Sequence, residues 1–296
     1  MINPHNPYPL IMQELFNRNE IYEETRIRAL KATQTYVIDL RRSYRNTPCN
    51  VNYEDRFLRA AYMLAYFPYY IETVHRVLDG LPNYHLPRYI FDNNMNICFY
   101  GAGPAPELLG FLSYLELHRN SVQRINSYLF DAATQWETCR DICANYMAPV
   151  YWRGIVDINP IRCNMLECFT CEHNLCDEVI PTARFHIMQN CLNDMVGNPV
   201  GIINAFRKLF IKLTLGSIFI IIDLNYLGVR DLLNVIEQDI VSKHLGIAIK
   251  PVCTENEWYK PGFDIPQELI DHIFDNGPET IPKKYTKYYS LVLRRC

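Results

Sequence analysis

Ile97-Cys98-Phe99-Tyr100-Gly101-Ala102-Gly103-Pro104-Ala105-Pro106-Glu107-Leu108-Leu109-Gly110-Phe111-Leu112 is the stretch that decides the fold. An apolar run stops abruptly at Gly-Ala-Gly-Pro, and a helix-like sequence follows at once. That is a strand, a tight glycine turn and a helix. Such a turn lets a ligand touch bare backbone and sets it at a helix N-terminus. A lone Gly-x-Gly fits any tight βα turn, so its meaning depends on the elements around it.

Downstream, strands alternate with helices. Residues 124–130 read as a second strand ending at Asp131, followed by a helix from about 134 to 146. Residues 164–171 read as a third strand, 185–189 as a fourth, 217–222 as a fifth, 247–252 as a sixth and 285–293 as a seventh. Helices at 201–213 and 231–241 separate the later ones. This order predicts an α/β fold: a seven-stranded, doubly wound, mostly parallel sheet that closes on a hairpin-like pair. Upstream, 22–40, 53–66 and 71–78 read as helices, with Pro68 marking a kink or break. The expected organisation is a helical N-terminal cap, residues 1–90, on a Rossmann-like core, residues 91–296.

Composition narrows the class. The net charge is −3 and the pI about 6.2, so nothing global draws the chain to nucleic acid. The longest apolar run, around residues 218–222, is cut by Asp223 and suits a buried strand better than a membrane span. The first residues lack the basic and apolar regions of a signal peptide, and the expectation is a cytoplasmic protein away from membranes. The 11 cysteines then read as thiols.

In a doubly wound sheet, ligands bind beyond the carboxyl ends of the strands. The Gly101–Gly103 turn and Asp131 both fall at such ends. A carboxylate there can accept both hydroxyls of a ribose. It can also serve as a turn or helix N-terminal acid.

Given these features, the chain resembles the class I S-adenosylmethionine-dependent methyltransferases over about residues 94–296. The resemblance rests on the glycine turn, the acid after the second strand, the segment Phe185-His186-Ile187-Met188-Gln189-Asn190-Cys191-Leu192-Asn193-Asp194 and the closing strand. In that family the closing strand is antiparallel and inserted between the fifth and sixth. The resemblance implies S-adenosylmethionine as cofactor. It implies Tyr100, Gly101, Ala102, Gly103, Pro104, Asp131, Ala132, Gln189 and Asn190 around it, and Glu172 near the adenine, for which a solvent-facing loop acid is an equal reading. Trp136 would lie by the adenine or simply in the core. A narrower similarity links Gly101–Pro104, Leu192-Asn193-Asp194 and residues 60–70 to small-subunit ribosomal RNA methyltransferase-like proteins of the mitochondrial type. Two positions depart from the family: Phe99 replaces the usual acid that meets the cofactor's methionine end, and Ala105 replaces a third glycine.

The implied reaction is an in-line displacement at a sulfonium methyl, for which a protein mainly supplies alignment and water exclusion. Candidate acceptor-orienting residues are Asn190, Asn193, Asp194 and Tyr69. Helix capping is an equal reading of Asn193 and Asp194. The Asn/Asp-Pro-Pro-Tyr/Phe tetrapeptide of base and glutamine N-methylating enzymes is missing. Tyr62, Tyr66, Tyr69 and Tyr70, with Arg41, Arg42 and Arg45 upstream, suggest a lid over an acceptor or an ordinary amphipathic bundle with a solvated basic turn. Cys163, Cys168, Cys171 and Cys176 have metal-like spacing but lack tight paired knuckles, so no metal is expected.

The resulting expectation is methyl transfer from S-adenosylmethionine to a small molecule. Ribosomal RNA is the alternative acceptor. A nicotinamide-dependent oxidoreductase and a non-catalytic cofactor-binding protein are the alternative classes.

Overall fold

The computed structural model describes residues 6–18, 25–45, 51–119, 121–165, 170–171, 175–275, 277 and 279–296. Four helices come first: α1 (Tyr8–Asn17), α2 (Arg26–Ser43), α3 (Arg56–Ala65) and α4 (Phe67–Asp79). Thr25 and Asp55 cap α2 and α3, each side chain accepting a first-turn N–H. Pro68 opens α4, where its missing N–H costs nothing.

The alternating part follows as β1 (Asn94–Tyr100), α5 (Pro106–His118), β2 (Arg124–Asp131) and α6 (Glu137–Asp141). A π-helical turn, Ile142–Met147, leads into α7 (Ala148–Tyr151). Then come β3 (Ile155–Asn164), β4 (Thr170–Cys171), α8 (Leu175–Val179), β5 (Phe185–Gln189), α9 (Pro199–Lys212), β6 (Ile218–Leu224) and α10 (Val229–Ser242). The chain closes with β7 (Gly246–Lys250), β8 (Glu257–Tyr259), α11 (Gln267–His272) and β9 (Thr286–Arg295).

The strand order is β4-β3-β2-β1-β5-β6-β9-β7, with β8 also paired to β9. Strands β3, β2, β1, β5 and β6 are mutually parallel. β9 runs antiparallel to both β6 and β7, between them. The chain winds outward from β1 through β2 to β3, then returns to place β5 on the other side of β1. The switch point therefore lies at the carboxyl ends of β1 and β5.

One expectation needs correction. The third strand is residues 155–164, not 164–171; among the described residues of the expected span, Asn164 ends that strand and Thr170 and Cys171 form a short antiparallel return. Pro160 and the half-exposed pattern of β3 hid it. Among the described residues its outer edge pairs only at Cys163 and Asn164, and an edge is where a strand proline is tolerated. Among the described residues, the short strands β4 and β8 join the seven expected strands in the sheet.

Alternation along β1 sends Ile97 and Phe99 to one core and Cys98 and Tyr100 to the other. The first core is continuous with α1–α4, so the N-terminal helices and one sheet face share apolar packing. The second packs under α9 and α10. Phe99 is fully buried, so the acid's usual position is spent on packing. Gly110 lets α5 touch α4: a Cβ there would sit 2.1 Å from the carbonyl oxygen of Ile71. Among the described residues, no helix is long and apolar enough to cross a membrane.

Candidate active site

A cleft of about 400 Å³ opens at the switch point. The Gly101–Gly103 turn forms its floor. Gly101 and Gly103 have φ of +61° and +49°, and Ala105 follows at +64°. All three need the left-handed region, so the site where the family carries glycine still demands it. An alanine there costs roughly 1–2 kcal/mol. A Cβ on Gly101 would meet the Cβ of Cys191 at 2.8 Å.

Asp131 ends β2 and braces this turn. Its Oδ2 accepts the N–H of Gly103 at 2.7 Å, and its Oδ1 accepts that of Ala133 at 2.8 Å. Each oxygen keeps a second lone pair. Burial raises the carboxyl's pKa, against the N–H bonds and the nearby Arg140, which lower it. Arg140 is buried under the turn and donates through Nε to the carbonyl of Gly103 at 2.8 Å.

Glu107, in the first turn of α5, is 2 % exposed and lines the same cleft. Its Oε1 has no hydrogen-bond partner. Burial pushes its carboxyl well above the usual range, with Asp131 adding to the rise and Arg140 opposing it. Sequence reading missed Glu107, because an acid in a first helical turn is ordinary. The available signal was a lone acid inside Pro106-Glu107-Leu108-Leu109-Gly110-Phe111-Leu112.

The segment after β5 forms one wall. Asp223, at the end of β6, holds it: Oδ2 accepts from Leu192 N at 2.6 Å and Asn193 N at 3.4 Å, and Oδ1 from Leu224 N at 2.7 Å. Burial nonetheless raises the Asp223 carboxyl to about 7. The side chain of Asn193 is 3 % exposed, and neither its nitrogen nor its oxygen has a partner. The cap of α9 is Asn198, whose Oδ1 accepts from Gly201 N at 3.0 Å. Asn193 and Asp194 are therefore not helix caps.

An aromatic roof comes largely from the N-terminal helices. Tyr44, Tyr53, Tyr62, Tyr70 and Tyr226 line the cleft with Trp136. Trp136 packs 4.9 Å from the Tyr53 ring and 5.7 Å from that of Tyr62. Half-buried Lys283 donates to the Tyr70 hydroxyl at 3.0 Å and stands over the Tyr66 and Tyr70 rings. Desolvation lowers its ammonium to about 7, with Arg41 contributing.

The structure thus gathers Gly101, Ala102, Gly103, Pro104, Asp131, Ala132, Gln189, Asn190, Asn193 and Asp194 around one cleft. Two expected residues lie elsewhere. Tyr100 points into the opposite core, where its hydroxyl meets His186 Nδ1 at 3.0 Å. Tyr69 packs against Phe263 at 5.4 Å, away from the cleft lining. Glu172 lies outside the described residues, as do Cys168, His173 and the side chain of Cys171. Cys176 is disulfide-bonded, which corrects the expectation of thiols throughout. Cys98, Cys139, Cys143 and Cys191 are buried thiols. Arg41, Arg42 and Arg45 converge on Glu279: Arg41 bonds its carbonyl at 2.7 Å, and Arg42 and Arg45 its carboxylate at 2.8 and 3.3 Å. The basic turn is thus met by a carboxylate of the chain itself.

The deciding observation is topological. The last strand enters antiparallel between β6 and β7, beside a parallel sheet with its glycine turn after β1. This is the strand arrangement that the resemblance to the class I S-adenosylmethionine-dependent methyltransferases implies.

No protein-family model matches the chain, and no curated protein matches its sequence. Solved structures with methyltransferase folds do align. One is a Listeria monocytogenes protein assigned to the class I S-adenosylmethionine-dependent methyltransferases. It has 12% identity and a TM-score of 0.44 over 98% of this chain and 88% of that one. The CMeT domain of the citrinin polyketide synthase aligns with 11% identity and a TM-score of 0.42, over 95% and 68%. An rRNA methylase from Streptococcus thermophilus aligns with 13% identity and a TM-score of 0.35, over 76% and 96%.

Proposed function

We propose that this chain is an S-adenosylmethionine-dependent methyltransferase that acts on a small molecule. One observation carries the reading: the unpartnered buried polar atoms of Glu107, Gln189 and Asn193 all belong to residues lining a single cleft, which Asp131 also lines. Buried polar atoms without partners are costly, and their clustering suits a polar ligand. Three are carboxyl or amide oxygens, which suit an ammonium or a hydroxyl donor. The Asn193 amide nitrogen suits a carboxylate. A ligand with an amino-acid end and a ribose answers the whole set.

Glu107 would hold the amino group, in place of the acid lost at Phe99. Asp131 would hold the ribose while bracing the glycine turn. Bound S-adenosylmethionine supplies an already activated sulfonium methyl. The chain's own residues align and exclude water: the tyrosines form a dry roof, and Asp223 fixes the wall that carries Asn190, Asn193 and Asp194. Those three would orient the acceptor.

The cleft's size, the aromatic roof and the net charge of −3 favour a small acceptor over RNA. The antiparallel β9 weighs against a nicotinamide-dependent oxidoreductase. The test is transfer of isotope-labelled methyl from S-adenosylmethionine into a cell extract, with and without nuclease digestion. Label in a nuclease-resistant small-molecule fraction supports the reading. Label that disappears with nuclease moves the acceptor to RNA, and transfer no greater than without protein overturns methyltransferase activity.

A further inference from the structure

Far from the cleft, α4 and α5 run side by side and end together. Asp79 is the last residue of α4, and His118 the last of α5. His75 lies one helical turn before Asp79, so both project from the same face of α4. His118 Nε2 stands 3.2 Å from Asp79 Oδ1, and the His75 ring centroid is 6.2 Å from that of His118. One ligand atom from each residue lies within 4.8 Å of the others.

His75 supplies an independent observation. It is 3 % exposed, and its Nδ1 has no hydrogen-bond partner. A buried imidazole nitrogen left unpaired is unusual. The neighbouring cations have partners of their own. Arg76 pairs with Glu72 at 2.8 Å and lies over Tyr259. Arg119 donates to the carbonyls of His118 and Leu86 and lies over Phe91. Two helix C-termini also meet here, and their carbonyl ends favour positive charge.

We propose that His75, Asp79 and His118 form a binding site for a divalent transition-metal ion of the zinc class, which pins α4 to α5. Two imidazoles and one carboxylate suit zinc, cobalt or nickel and not magnesium or calcium. Tetrahedral ligands at about 2.0–2.2 Å stand roughly 3.4 Å apart. Closing from 4.8 Å asks only for rotamer adjustment of Asp79 and His118, which are the two exposed members. Solvent completes the coordination on that side. The site is independent of the cofactor reading.

The full chain, treated with a chelator and dialysed, would be titrated with zinc chloride by calorimetry and with cobalt chloride by visible absorption. His118→Ala and Asp79→Ala change exposed helix-end residues and serve as comparisons. The expected result is one zinc per chain, weakened at least about 100-fold in both variants. Cobalt should give ligand-field bands without thiolate charge transfer, and zinc should raise the melting temperature of the unsubstituted chain alone. Absence of saturable binding, equal binding by all three proteins, or a thiolate band accompanying all the bound cobalt would overturn the proposal.

Discussion

Gln189, the last residue of β5, donates its side-chain amide to the carbonyl of Tyr70 on α4 at 3.0 Å. The bond joins the strand end at the switch point to the helix that supplies part of the aromatic roof. Its other amide atom, Oε1, has no partner in the protein. One side chain thus both fastens the N-terminal helices and presents an acceptor to the cleft. Gln189→Ala should lower stability by about 1–2 kcal/mol, measured by urea denaturation. A loss below a few tenths would mean that the Tyr70 contact contributes little.

Gly110 tests the α4–α5 contact directly. Alanine is intrinsically the better helix former by about 1 kcal/mol. Here its methyl would sit 2.1 Å from the Ile71 carbonyl oxygen, so the helices must part. Gly110→Ala should destabilise by about 2 kcal/mol or more and lower the melting temperature. An unchanged or raised melting temperature would contradict the packing.

Glu107→Gln separates ligand recognition from folding. Glutamine mimics the shape of a protonated carboxyl, which burial favours at this position. Stability without ligand should hold or rise. Affinity for S-adenosylmethionine should fall roughly 10- to 100-fold, the worth of a hydrogen bond to a charged group. Unchanged affinity would remove Glu107 from the amino-group role.

His186 gives the acid response a definite sign. It lies fully buried between the Tyr100 hydroxyl, at 3.0 Å, and the Ala183 carbonyl, at 3.2 Å. Burial lowers its pKa to about 3, with the Ala183 bond opposing. The unfolded chain takes up this proton near 6.5. Between those values the unfolded state holds more protons, so stability from this group falls as pH drops from about 6.5 toward 3. Urea midpoints measured from pH 7 to 4 should fall less steeply for His186→Gln than for the unsubstituted chain. Equal slopes would refute the assignment.

Much of the fold was legible because its signals are local. The apolar run at residues 97–100, the glycines after it and the alternation of strands with helices each specify one element. The antiparallel closing strand was legible as a hairpin-like pair and by family resemblance. β3 was not, because an edge strand with a polar face and Pro160 lacks the apolar pattern that marks buried strands. At the cleft, glycine chemistry and Asp131 follow from neighbouring residues. Glu107, Arg140 and Asp223 were hidden, since each gains its role from burial against distant elements. Tyr69 and Tyr70 illustrate the same limit: adjacent tyrosines on one helix face different surroundings, and only packing assigns Tyr70 to the cleft.

The central claim is that the cleft at the switch point holds S-adenosylmethionine. The most direct test is calorimetric titration of the full chain with S-adenosylmethionine and S-adenosylhomocysteine, alongside Asp131→Ala and Asp131→Asn. The account predicts one site per chain with micromolar affinity, lost in Asp131→Ala and weakened in Asp131→Asn. Absence of binding by either ligand to well-folded protein would contradict it.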